Sequence, residues 1–83
     1  MNSVYYLVHV DSNRRIRYYR TLTGARIACR LRNLHLGFLA RIHYEHEDNR
    51  TYEWCVNLNA ENSRGTYAIE EDTIDTPDLL EAQ

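Results

Sequence analysis

The sequence predicts a two-layer α+β domain, β-β-α-β-β(-β), in which an antiparallel sheet of four or five strands packs on one helix. Two stretches of alternating apolar and polar residues are each broken by a short Asp/Asn-rich turn, and one stretch between them repeats its apolar residues at helical spacing.

The first hairpin spans residues 4–10 and 15–20 around Asp11-Ser12-Asn13. A three-residue loop with Asn13 in the left-handed region, which asparagine tolerates, pairs Val10 with Arg14, Val8 with Ile16 and Tyr6 with Tyr18. That register gathers Val4, Tyr6, Val8, Val10, Ile16 and Tyr18 on a face expected to lie under the helix. It leaves Tyr5, Leu7, His9, Arg15, Arg17 and Tyr19 pointing away from it.

Residues 21–37 carry the helix, with Thr23, or alternatively Thr21, as cap and Gly37 as terminator. Ile27, Ala28, Leu31, Leu34 and His35 form the stripe expected to face the sheet, and Arg26, Arg30 and Asn33 the solvated side. The second hairpin, residues 38–46 and 51–58, alternates so that Phe38, Ala40, Ile42 and Tyr44 share one face, as do Tyr52, Trp54, Val56 and Leu58. Of two registers, the one pairing Tyr44 with Tyr52, Ile42 with Trp54 and His43 with Glu53 avoids setting Glu45 against Glu53. It makes Glu47-Asp48-Asn49 the loop. Residues 59–65 read as a polar turn and 66–70 as a short fifth strand. The domain is expected to occupy residues 1–70, followed by an acidic, mobile tail at 71–83 in which Thr76-Pro77-Asp78-Leu79-Leu80 has the chemistry of a helix start. Strand order does not follow from these patterns.

An 83-residue chain buries only about 60% of the surface its unfolded form exposes, so the core must be economical. Seven tyrosines, Trp54 and Phe38 are available to supply its volume. Cys29 and Cys55 form no disulfide framework of the secreted kind, and they read as free thiols in a reducing compartment. The chain has no long apolar run and no signal-like amino terminus, so a soluble, cytoplasmic protein without membrane contact is expected. All ten basic residues are arginine. Eight of them face a single acid, Asp11, in residues 1–42, whereas residues 43–83 hold eleven acids against Arg50 and Arg64.

Nothing in the chain spells a catalytic, metal or cofactor motif. His43 and His46 differ in strand parity and point to opposite faces, and His43 is expected to partner Glu53 at the surface. Cys55, on the same expected face as His43 and Glu53, lacks the oriented base and cleft that nucleophilic catalysis needs. Gly24, Gly37 and Gly65 are isolated and form no phosphate loop. Chemistry therefore points to binding, through the outward hairpin face of Tyr5, Leu7, Arg15, Arg17 and Tyr19. Arginine and tyrosine are enriched at protein interfaces, and a protein partner is the first expectation. Nucleic acid held by Arg15, Arg17, Arg20 and Arg41 is the alternative, and a homodimer through the same face a third.

The stretch Thr21-Leu22-Thr23-Gly24-Ala25-Arg26-Ile27-Ala28-Cys29-Arg30-Leu31-Arg32-Asn33, following a tyrosine-rich hairpin, resembles small phage-encoded proteins of unassigned function. In those a hairpin precedes a helix opening with threonine, glycine and alanine and closing on an arginine-asparagine pair. The match covers less than half of the chain. The absence of lysine and the acidic tail depart from that pattern. The resemblance implies a phage accessory protein that binds a host protein complex stoichiometrically in the host cytoplasm, and it assigns no functional residue.

Overall fold

Residues 2–74 are described by a computed structural model. Strands β1 (Asn2–His9) and β2 (Arg14–Tyr19) form the first hairpin, α1 spans Leu22–His35, β3 (Phe38–Glu47) and β4 (Arg50–Asn57) form the second hairpin, and β5 runs Ala60–Ile74. The sheet is entirely antiparallel in the order β2-β1-β5-β4-β3, with α1 on one face. The α+β class and the hairpin-helix-hairpin order are as the patterning predicts. The fifth strand is the larger surprise, because it is 15 residues long and central, and it joins the two hairpins. It also takes in residues 71–74, which the sequence assigned to a tail; the expected tail residues 75–83, with their helix-start motif, lie outside the described residues.

Local chemistry fixes the turns and caps. Asn13 adopts the expected positive φ of 56° in the first turn. The helix begins at Thr21, whose hydroxyl accepts from the Gly24 amide at 3.1 Å, and it ends where Gly37 takes φ 95°.

Registers differ from the expectation wherever a strand carries an extra residue. Tyr6 faces Tyr18, but Ile16 bulges, so Val8 meets Arg15 and His9 meets Arg14. In the second hairpin Glu47 pairs with Arg50 around a two-residue turn, Asp48-Asn49, with Asp48 at φ 54°. Tyr44 then faces Glu53 and His43 faces Trp54, a register between the two considered from sequence. Leu39 and Ile42 bulge out of β3. Each such insertion reverses the side to which the following residues point.

The faces of β1 are exchanged relative to the expectation. Leu7, Ile69, Ala25 and Cys29 form the core between sheet and helix, with Tyr5, Tyr19, Leu22, Ala28 and Tyr67 packed around it. The helix thus lies on the odd-numbered side of β1, opposite to the side predicted. Val4 and Val8, on the second face, are nonetheless fully buried. On that face the Tyr6 ring is tilted against Tyr18 and covered by Arg15 at 4.0 Å, and Arg50 of β4 donates to Asn13 of the first turn. Because both faces of β1 are apolar, alternation alone did not choose between them.

The helix is also turned relative to its predicted orientation. Ala25, Cys29 and Asn33 are buried against the sheet, whereas Ile27, Leu31 and Leu34 face outward. Small and polar side chains beneath the helix meet a particular demand of the sheet. Gly65, Thr66 and Tyr67 of β5 stand opposite the single residue Glu53 of β4, so the ladder is interrupted there. Asn33 fills the interruption: its amide oxygen accepts from the Tyr67 N–H at 3.0 Å, and its nitrogen donates to Glu53 Oε1 at 2.8 Å and to the Tyr67 carbonyl at 3.3 Å. Gly65 leaves the room, since a Cβ there would stand 2.5 Å from the Asn33 nitrogen.

Candidate protein-binding face

A buried polar lock beneath α1 sets which residues the helix presents outside. Glu53, wholly buried, pairs with Arg30 Nη1 at 3.1 Å as well as with Asn33. Arg30 also donates to the Phe38 carbonyl and to Cys55 Sγ, tying α1 to the start of β3 and to β4. Removing either partner of such a pair leaves an uncompensated charge, so the lock holds the helix in one rotation. Cys29 donates to the Tyr67 carbonyl at 3.2 Å, and Cys55 lies 3.4 Å from Glu53 Oε1. Burial, then the nearby Glu53 charge, pushes the Cys29 thiol up to about 12 and the Cys55 thiol up to about 11. Neither is a nucleophile at neutral pH.

With the lock inside, the apolar stripe is left in water. Ile27, Leu31 and Leu34 on α1, Leu36 at its end, the bulged Leu39 and Ile42 of β3 and Leu58 after β4 are all 41 to 67% exposed. Leu58 and Leu36 both lie at the carboxy end of α1, where Leu58 packs beside Gly37. Exposed single leucines are ordinary, but a run of them along one helix and its flanking strand is the pattern of an interaction surface.

Charge on α1 itself has one sign. The helix carries no acid, and between it and β3 lies a groove of about 300 Å³ lined by Thr23, Arg26, Ile27, Arg30, Leu31 and Arg41. Tyr44 projects from β3 between Arg26 and Arg41, each with its guanidinium 4.9 Å from the ring centre, and Arg41 Nη1 donates to the Tyr44 hydroxyl at 2.8 Å. Among the described residues no carboxylate pairs with either arginine, and the buried Arg26 Nε has no acceptor.

The residues expected to form a binding face are separated. Leu7 is in the core, Tyr5 and Tyr19 pack beside it, and Arg17, opposite Leu7, lies exposed over Tyr19 at 5.8 Å. Arg15 is on the other face, where its Nε donates to Glu70 Oε2 at 2.6 Å and its Nη2 meets Asp72 at 3.1 Å, while Arg50 holds the other Glu70 oxygen at 3.0 Å. The alternative set fares no better as one surface: Arg20 sits at the bend before α1, and Arg41 is on β3 at the far edge of the sheet from β2. The outward tyrosine-guanidinium face is thus replaced by a leucine-guanidinium face on α1 and β3.

The remaining expectations about single residues change likewise. His43 does not meet Glu53; it stacks on Trp54 at 5.9 Å on the second face, where Arg64 lies over Tyr52 and within 3.7 Å of both Glu45 and Glu47. Cys55 and Glu53 share the helix side without His43. His46 takes Thr51 Oγ1 at 2.9 Å on that side, so the two histidines do point to opposite faces. No group of three or more metal-ligating side chains occurs among the described residues. No helix among them is long and apolar enough to cross a membrane.

The signal for the new face was available in the sequence. Ala25, Cys29 and Asn33 recur at four-residue spacing as small or polar residues, which is what a helix needs where it approaches a sheet closely. Comparison with family models, with curated proteins and with solved structures gives no match to this chain.

Proposed function

We propose that this chain is a non-enzymatic binding module that takes a protein partner on the outer face of α1 and the adjoining β3 bulges. The observation that carries this reading is the exposed stripe Ile27, Leu31 and Leu34 on α1, a helix that carries arginines and no acid, with Leu36 and Leu58 exposed at its carboxy end. Burying such side chains against a partner is worth about 25 cal/mol per Å² of apolar surface. The partner presents apolar side chains flanked by carboxylates, which would answer Arg26 and Arg41. A second copy of the same face would set arginine against arginine. Nucleic acid is the weaker reading. Leucine and isoleucine occupy the ground that phosphates or stacked bases would need, and Arg15, Arg50 and Arg64 are already engaged by carboxylates. A phage accessory protein bound to a host complex fits this mode of action.

The test replaces Leu31, and separately Asp11 on the exposed first turn, with a photo-activated cross-linking residue in the producing cell. Saturable 1:1 cross-linking to a polypeptide from position 31 alone supports the proposal. Equal cross-linking from both positions, or nuclease-sensitive products from position 31, overturns it.

A further inference from the structure

The groove between α1 and β3 is the amino-terminal part of the proposed face, and its chemistry matches one segment of this same chain. Residues 75–83, Asp-Thr-Pro-Asp-Leu-Leu-Glu-Ala-Gln, hold three acids, no base and an adjacent leucine pair. Among the described residues the groove offers two arginines without a carboxylate, an Arg26 Nε without an acceptor, and the exposed side chains of Ile27 and Leu31. We infer that residues 75–83 lie in the groove of their own chain, with Asp78 and Glu81 toward Arg26 and Arg41 and with Leu79 and Leu80 against Ile27 and Leu31. This rests on the binding face proposed above and gives it a regulator: the segment covers the amino-terminal half of the face and leaves Leu34, Leu36, Leu39 and Leu58 open.

The register of the sheet makes the reach short. Glu71 of β5 lines the same small pocket as Leu22, the first residue of α1, so the carboxy-terminal part of β5 lies toward the end where the helix starts. Ile74 is three residues beyond Glu71, about 10 Å at most, and the next nine span up to about 30 Å when extended. The groove opens at Thr23 and Arg26, in the first turns of the helix. Tethering supplies an effective concentration on the order of 1 mM, so even a contact with a millimolar dissociation constant is about half populated.

The experiment uses the full chain with a Gln83→Cys nitroxide label, since Cys29 and Cys55 are buried. Paramagnetic broadening of the Thr23, Ile27 and Leu31 amides at low salt, independent of protein concentration and lost in Asp78→Arg/Glu81→Arg, is the expected result. Broadening spread evenly over the surface, or none, overturns the proposal. Broadening transferred to an unlabelled second copy in a mixed sample also overturns it, by showing that the segment serves another molecule. Cross-linking from position 31 should rise about twofold in Leu79→Ser/Leu80→Ser. Unchanged cross-linking to the same partner rejects the covering segment while leaving the binding face standing.

Discussion

Asn33→Ala set beside Leu31→Ala tests the helix orientation on which the binding face depends. Asn33→Ala removes the acceptor of the Tyr67 amide and one of the donors to buried Glu53. An orphaned buried amide costs about 1–3 kcal/mol, and a lost hydrogen bond to a charged group about 1.5–3 kcal/mol. A loss of about 3 kcal/mol or more follows, which lowers Tm by about 12–24 °C in a domain of this size. Leu31→Ala removes a side chain that is 61% exposed and should change stability by no more than about 0.5 kcal/mol. If the apolar stripe faced the sheet instead, the ranking would reverse, because burying Leu31 would put its truncation at about 2–5 kcal/mol. Urea unfolding followed by the fluorescence of Trp54, the single tryptophan, with unchanged m-values, measures both. A Leu31→Ala loss larger than that of Asn33→Ala refutes the orientation and the face with it.

Gly65→Ala forces a methyl group to within 3 Å of all three terminal atoms of the Asn33 amide, and a loss of about 2 kcal/mol is expected in the same unfolding assay; a neutral result would mean that Asn33 does not fill the β5 interruption. Both thiols are buried with raised pKa values, so neither should react with a disulfide reagent at pH 8 until the protein is unfolded, and a fast native-state reaction of either would contradict the burial. The same shifts set a pH dependence: above pH 9 the unfolded thiols ionise while the folded ones hold their protons, so their contribution to stability is intact below about 9 and is lost as pH rises toward 11–12, and Cys29→Ala should flatten that decline in denaturant titrations. Glu70→Gln replaces a carboxylate held by Arg15 and Arg50, and it should destabilise by about 1–3 kcal/mol, an effect absent from an Asp11→Asn control on the exposed turn.

What the sequence made legible was local. The left-handed residue at Asn13 and the Gly37 terminator each follow from one residue's backbone chemistry, a threonine cap is expected at Thr23 or Thr21 and falls at the second of these, and the hairpin-helix-hairpin order follows from alternation. Register was not legible, because single-residue bulges at Ile16, Leu39 and Ile42 break the period-two pattern without a glycine to announce them. The long β5 was hidden by the polar run Glu61, Asn62, Ser63 and Arg64, whose place in the sheet depends on partners across β4. The outward rotation of the α1 stripe was not legible for a related reason. Apolar periodicity on α1 predicts burial, whereas the sheet beneath requires a side chain with both a donor and an acceptor, and Asn33 supplies both.

Placing β5 at the centre of the sheet has a consequence for how the molecule is born. During synthesis both hairpins and the helix emerge from the ribosome before the strand that unites them, and until it arrives the inner edges of β1 and β4 have no neighbour. Assembly of the native sheet therefore waits on the last of the five strands to clear the exit tunnel. Released chains that end near residue 60 should be sticky and sensitive to protease, and resistance should appear once the chain extends through residue 74.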